Sequence, residues 1–440
     1  MSKSYPSIAK DLLTQKYNSK KHNTYFYAML KAGSLLYAIF ITLIISSVAS
    51  SFVLFNYYHN IRMIQAEGKM AALNRLESAI KLLKVAGVEG EIENETLLFD
   101  GDLEPTQLQI QPWGAYYLAT AKTKFREHNF QQATLMGFQN LQPFALYLAD
   151  HNQPLSITGK TRLTGNALLP KRGLKRAYIE GKSYAGKSLL NGSRKESTGK
   201  IPALDPSLTN YLVEQLKEGI PKSVLKVIEY SPEVDENLVQ SFQDSTVCLY
   251  ATGKIDLLAG SLRGRIIVKS ESEINISNEM ELEDVLLIAP KITVQSNFKG
   301  TVHLIASDSI LVGAFAELDY PSSIMLASGL NQAYIGMGEQ AQVFGEVILY
   351  GELNSGDNGL LELMDNSVLT GNVYSFDKVE LKGKVKGSVT CDKFLLRTSS
   401  SIYENHIMDG EINSEELPEN YLGVRHVGSK KSKEIIKWLK

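Results

Sequence analysis

The chain has 440 residues, 44% hydrophobic and 21% charged, with a formal net charge of -2. That length exceeds one ordinary compact core; that composition excludes a disordered chain and gives no bulk electrostatic pull toward nucleic acid. The only two cysteines, Cys248 and Cys391, exclude a disulfide scaffold and a cysteine-based zinc or iron–sulfur centre. One bridge between them and two buried thiols both stay open.

Residues 1–32 form a basic leader, with Lys3, Lys10, Lys16, Lys20, Lys21 and Lys31 against Asp11. Residues 33–55 follow without a charge, and none appears between Lys31 and Arg62. At 1.5 Å per residue such a helix spans roughly the 30 Å of a bilayer's hydrocarbon core. Gly33, Leu36, Ile39, Leu43, Ile45, Val48, Phe52 and Phe55 are the residues expected in lipid. Excess Lys in the leader predicts a cytoplasmic N-terminus and a single pass through the inner membrane, with the large domain periplasmic. Residues 56–87 read as an amphipathic stalk helix: Ile61, Ile64, Leu73, Leu76, Ile80 and Leu83 recur at helical steps, and Gly87 ends the run.

This N-terminus resembles that of type IV pilins and type II secretion pseudopilins. The matching pieces are Lys31-Ala32-Gly33 and then Ser34-Leu35-Leu36-Tyr37-Ala38. Ala38 departs from the Glu that most pilins carry there. The resemblance implies that the apolar helix is also an assembly element.

Residues 88–153 predict a small α+β region whose Tyr116, Tyr117, Phe125, Phe130 and Phe138 pack a core or present an aromatic face. Residues 154–200 predict short strands, the first β-helix rungs. Within them Gly181, Gly186, Lys187 and Ser188 satisfy the phosphate-loop pattern, but the polar, turn-rich stretch after Ser188 predicts a β-turn instead of the helix that pattern needs. Lys171, Arg172, Lys175, Arg176, Lys182, Lys187, Arg194, Lys195 and Lys200 form a basic cluster over 171–200. It reads as a solvated face or a dock for an anionic polymer or lipid head group. Residues 201–240 predict a helical insertion, with Leu208, Leu212 and Leu216 and then Val224, Leu225 and Ile228 as apolar faces.

Residues 241–400 carry a repeat. Gly-x-Val/Ile recurs at Gly264, Gly300, Gly345, Gly371 and Gly387, each followed by apolar alternation. Steps of 16 and 17 residues, as from Gly371 to Gly387 and from Ile288 to Ile305, suit one coil of a parallel β-helix with glycine at its corners. An antiparallel sandwich is the alternative. The stretch from Asp377 to Val389 resembles bactofilins, which implies a right-handed β-helix; the whole chain resembles membrane-anchored proteins of Bacteroidota. Residues 401–440 predict a C-terminal cap and a basic amphipathic tail, SKKSKEIIKWLK, ending in a solvated helix or touching a membrane or partner.

The seven histidines lie outside metal-ligand spacing, and no nucleophile elbow or H-E-x-x-H motif appears. Catalytic, cofactor-binding and metal-ligating sets are each expected to be none. The densest acidic run is Glu271, Glu273, Glu279, Glu281, Glu283 and Asp284. It reads as a solvated loop or as carboxylates acting on a polysaccharide. The expectation is a mainly β, non-enzymatic membrane-anchored structural protein that contacts the bilayer and protein partners or itself. A minor pilus or pseudopilin component and a polysaccharide-binding or polysaccharide-acting protein are the alternatives.

Overall fold

The computed structural model describes residues 8–85, 92–100, 102, 104–140, 144–221, 226–231, 237–327, 333–351, 358–425 and 429–440. The chain divides into two compact units, Met1–Ala71 and Ala72–Lys440. The first unit, where described, is all helix: α1 runs Ile8–Val85 and carries its last residues into the second unit. The leader is therefore helical from Ile8 onward and not a separate segment. It has no Pro or Gly from Ile8 until Gly33, so nothing in it breaks a helix. Gly87, expected to end the stalk, lies outside the described residues.

The second unit opens with a five-stranded antiparallel sheet. Its spatial order is Ile92–Thr96, Thr106–Trp113, Tyr116–Phe125, His128–Asn140 and finally the C-terminal strand Ser429–Leu439. Residues 88–153 thus hold strands and no helix where described, correcting the α+β expectation. The tail is likewise a strand and not a terminal helix: Lys433, Ile435 and Leu439 face Phe138, Met136 and Ala133 across the ladder. Pairing satisfies its backbone along the edge of the sheet, which a solvated end would leave to water. On one sheet face, Leu76, Ala79, Ile80 and Leu83 of α1 pack against Leu108, Ile110, Tyr117, Met136 and Phe138. The expected aromatic core is therefore present for Tyr117 and Phe138, with Phe130 at its margin.

Between the adjacent sheet strands His128–Asn140 and Ser429–Leu439, the chain builds a barrel-like stack of short strands paired in parallel. One aliphatic column runs through its interior: Ile228, Leu249, Val268, Leu287, Leu304, Ile324, Val347, Val373, Val389, Leu146 and Ala167, each in register with the next. Stacking like on like keeps each strand's inward face covered by its neighbours. Step length is 17 from Ile288 to Ile305 and 16 from Val373 to Val389. It lengthens to 23 from Ile324 to Val347 and to 26 from Val347 to Val373. These pairings are parallel, so the antiparallel sandwich is excluded for this region.

Spatial order departs from chain order. The strand Lys384–Arg397 stacks in parallel on Leu146–Leu148, which stacks on Ala167–Leu169, which stacks on Arg194–Glu196. Residues 146–196 are therefore rungs at the far end of the stack, beyond the last repeat, and not its first rungs. Among the described residues the helical insertion is α2, Pro206–Gln215, capped by Asp205, whose carboxylate accepts from the Ser207 amide at 3.0 Å. Leu208 and Leu212 are its buried face. Ile228 belongs to a strand, Lys226–Glu229, because its backbone pairs with Val247–Ala251; Asn237–Gln240 is a second such strand. Val224 and Leu225 lie outside the described residues.

Two kinds of bend shape each rung. At one, Gly345, Gly371 and Gly387 stack in register at φ of 155°, 143° and 151°. A Cβ on Gly371 would overlap the Gly345 carbonyl oxygen, and one on Gly387 the Gly371 carbonyl oxygen. Gly264 occupies an equivalent bend at φ 95°. Gly300 is not a corner: it pairs with Leu318, which pairs with Val343, on a straight strand. There the Leu282 carbonyl oxygen and the ring of Phe298 fill the room a side chain would need. At the second bend Asn297, Phe315, Gln340 and Asn366 take positive φ without glycine. The next residues, Phe298, Ala316, Ala341 and Ser367, turn inward and are buried.

The glycine column gives a direct test. Gly371→Ala is expected to cost about 2 kcal/mol or more of unfolding free energy, from backbone strain plus the carbonyl clash. Gly253→Ala, in open space, should stay within about 0.5 kcal/mol. Denaturant unfolding of both variants checks it.

Candidate functional site

The apolar part of α1 shows the first functional feature. Leu36, Ile39, Leu43, Ile45, Val48, Phe52 and Phe55 are each between 51% and 68% exposed, on every side of the helix. From Gly33 to Val85 the helix is long and apolar enough to cross a membrane. Soluble helices bury one stripe and solvate the other, so an all-round apolar surface has lipid or other apolar helices as its solvent. From Ala72 the pattern switches to one buried stripe, the one that packs on the sheet. Polar contacts fix that docking: Arg75 Nε lies 3.0 Å from Asp102, and Lys84 Nζ lies 2.6 Å from Glu434.

The opposite face of the sheet covers the side of the parallel stack. Trp113, Tyr116, Leu118, Ala133, Leu135 and Leu439 pack on Ile288, Ile305, Met325, Ile348 and Tyr374, successive rungs of one outward column, and α2 joins them through Leu208 and Leu212. The neighbouring column is polar. His303, Ser323, Glu346, Asn372 and Ser388 stand in register on five rungs. His303 Nδ1 and Ser323 Oγ lie 3.0 Å apart, Asn372 Nδ2 donates to Glu346 Oε1 at 2.8 Å, and Ser388 Oγ donates to Asn372 Oδ1 at 2.7 Å. The Tyr421 hydroxyl donates to the same Glu346 oxygen at 2.9 Å, and the Ala115 amide donates to Ser323 Oγ at 3.2 Å. A Ser beside a His at this distance invites a nucleophile–base reading. Both are fully buried, and through the Ala115 amide they tie the stack to the sheet. At the margin, Trp113 Nε1 donates to the Asp284 carbonyl at 2.9 Å, and Lys437 pairs with the Asp284 carboxylate at 2.7 Å. Burial pushes that carboxyl up, and Lys437 opposes the shift.

A second charged column lies on another side of the stack. Glu362 and Glu380 are paired in register on adjacent rungs. Arg397 bridges them, Nε to Glu380 at 2.5 Å and Nη2 to Glu362 at 2.8 Å, and Lys382 reaches both. The Tyr334 hydroxyl donates to Glu362 at 2.7 Å. Two carboxylates held by two cations and a phenol form a paired network across adjacent rungs.

The acidic run is drawn into separate contacts. Glu271 accepts from the Gly219 amide, Glu273 pairs with Lys254, Glu281 and Glu283 flank Arg263, and Asp284 turns inward to Lys437. Glu279 is exposed. The structure does not gather them into a cleft. The phosphate-loop pattern falls on a two-stranded hairpin, Tyr178–Ile179 with Lys182–Ser183, and on the turn after it; no helix follows until Pro206. Cys248 and Cys391 are both free and buried, and burial pushes the Cys248 thiol up to about 12. Among the described residues no three His, Cys, Asp or Glu side chains are grouped to hold a metal ion. The basic residues of 171–200 gather at the end of the stack that begins with Ala167–Leu169.

No protein-family model and no curated protein matches this chain. Among solved structures, one that is similar is the competence-associated pilin ComZ from Thermus thermophilus, at 10% identity with a TM-score of 0.18, covering 84% of this chain and 96% of that chain. A superposition that weak carries neither fold nor function across.

His303 offers a pH test. Burial holds its imidazole down to about 3, with Lys437 adding to the effect. Unfolded, the same ring takes a proton below about 6.5. The unfolded state therefore binds more protons between those values, and stability falls as pH drops through that window, by up to about 1.4 kcal/mol per pH unit. Denaturant midpoints measured from pH 7 to pH 4 should drop more steeply in the natural chain than in His303→Asn. Parallel profiles would refute the assignment.

Proposed function

We propose that this chain is a non-enzymatic, membrane-anchored assembly protein. Its N-terminal helix spans the inner membrane, and its second unit is a pilin-like sheet module carrying a right-handed parallel β-helix outside the cytoplasm. The observation that carries this reading is the change of character along α1. One continuous helix is apolar on all sides from residue 33 to residue 55 and amphipathic from Ala72, where its stripe seals one face of an antiparallel sheet. A plain anchor needs only the first part. A helix that both enters lipid and serves as a structural layer of the soluble domain suits a subunit inserted and withdrawn as one piece. The basic leader supports a cytoplasmic N-terminus. The prevailing right hand of parallel crossovers supports the right-handed winding.

Two results are expected. Ile45→Arg together with Leu43→Arg, costing about 2.5–3.5 kcal/mol per residue at mid-membrane, should move the protein out of the membrane fraction in flotation. Unchanged flotation would reject the span. For the pilin-like role, intact mass of the membrane-extracted protein should show loss of residues 1–33; a full-length mass would leave a permanent anchor instead.

A further inference from the structure

One end of the parallel stack differs electrically from the rest of the molecule. From Lys160 to Lys200 the chain carries eleven Lys and Arg against Glu180 and Glu196 alone, although the whole chain sums to -2. This segment forms the outermost rungs. Among the described residues, the strand Leu174–Arg176 pairs only with Leu155–Thr158, and Arg194–Glu196 pairs only with Ala167–Leu169. Both outer edges are open, with Lys175 and Arg176 on one, Arg194 and Lys195 on the other, and Lys171 and Arg172 between the two faces.

Part of this charge is used internally. Arg194 Nη2 donates to the carbonyls of Pro170 and Lys171, Arg176 donates to the Lys187 carbonyl and lies over the Tyr184 ring, and Lys182 pairs with Asp409 at 2.7 Å. Lys171, Arg172, Lys175, Lys187, Lys195 and Lys200 are exposed and form no ion pair among the described residues.

The chemistry narrows what this face can hold. A second copy presenting the same end is repelled, which is how charged edges block strand addition. Several carboxylates near the opposite end are already paired: Asp256 and Glu273 share Lys254 at 3.1 and 3.2 Å, and Glu281 sits 2.6 Å from Arg263. Single-stranded nucleic acid needs aromatic platforms, and this face exposes one free ring, Tyr178, since Arg176 covers Tyr184. A small anion needs converging donors, but these six spread over two edge strands and their turns, with neighbouring strands ~4.8 Å apart. A flexible chain bearing regularly spaced negative charge matches that spread. We infer that this end of the stack is a docking face for an acidic polysaccharide, whose uronate carboxylates the six free cations engage. This goes beyond the anchoring role and does not depend on it.

The test uses the full chain in neutral detergent micelles, with polygalacturonate as the probe and dextran as the uncharged polymer. Polygalacturonate should bind, more weakly as salt rises, and dextran should not. Replacing Arg172, Lys175, Lys195 and Lys200 together by Gln should weaken binding at least about tenfold, equivalent to about 1.4 kcal/mol. The exposed positions should leave the unfolding midpoint in place. Lys122→Gln with Lys124→Gln, on the antiparallel sheet, should leave binding intact. The inference is overturned by absent binding, by equal loss in both variants, or by tighter binding to single-stranded DNA or to phosphatidylglycerol vesicles than to polygalacturonate. Flotation of the natural chain keeps the outcomes separate: absent polygalacturonate binding by a natural chain that still floats with membranes rejects the docking face alone.

Discussion

The structure depends on the unbroken aliphatic column from Ile228 to Ala167. No single rung can shield its inward Val, Ile or Leu. Along the column each strand is held by its neighbours in the stack, through parallel hydrogen bonds and the stacked side chain. Full burial of one such side chain contributes roughly 1.5–3 kcal/mol, so the column's strength lies in its continuity. The step from Val389 to Leu146 is the place where that continuity is least secured by the chain, because the two residues are far apart in sequence.

Around this interior the outward faces are specialised. One carries two adjacent columns, apolar Ile288 to Tyr374 and polar His303 to Ser388, and both are covered by the antiparallel sheet. The sheet is in turn covered on its far side by the end of α1. The second unit is thus three layers, helix on sheet on stack, and its buried polar groups sit where two layers meet. Hydrogen bonds such as Asn372 to Glu346 need one alignment of the rungs, so the polar column adds register to the adhesion supplied by its apolar neighbour.

Much of this was legible in the sequence. The uncharged run after Gly33 and the 16- and 17-residue steps were plain because periodicity is a property of local sequence. The Gly-x-Val pieces contained more than glycine bends: the middle residues Glu346, Asn372 and Ser388 are the polar column itself. The second bend escaped notice because Asn297, Phe315, Gln340 and Asn366 do the work of glycine without its signature. Gly300 misled for the converse reason, being small to admit the Leu282 carbonyl and the Phe298 ring. The tail looked helical because Ile435, Ile436 and Leu439 fit a helical stripe; its place beside His128–Asn140 is a contact between distant segments that no local pattern encodes. The same holds for residues 146–196, whose strands were visible and whose position in the stack was not.

The non-sequential junction also sets a timetable. Residues 146–169 are synthesised early, yet the surface they rest on, the strand Lys384–Arg397, is among the last parts made. Until it arrives, the early rungs are an unfinished template with a bare edge facing inward. Closing across so many residues raises contact order and slows folding. Completion therefore works as a coincidence check: a chain interrupted anywhere before residue 384 keeps two unmatched edges, and only a fully translated one conceals both.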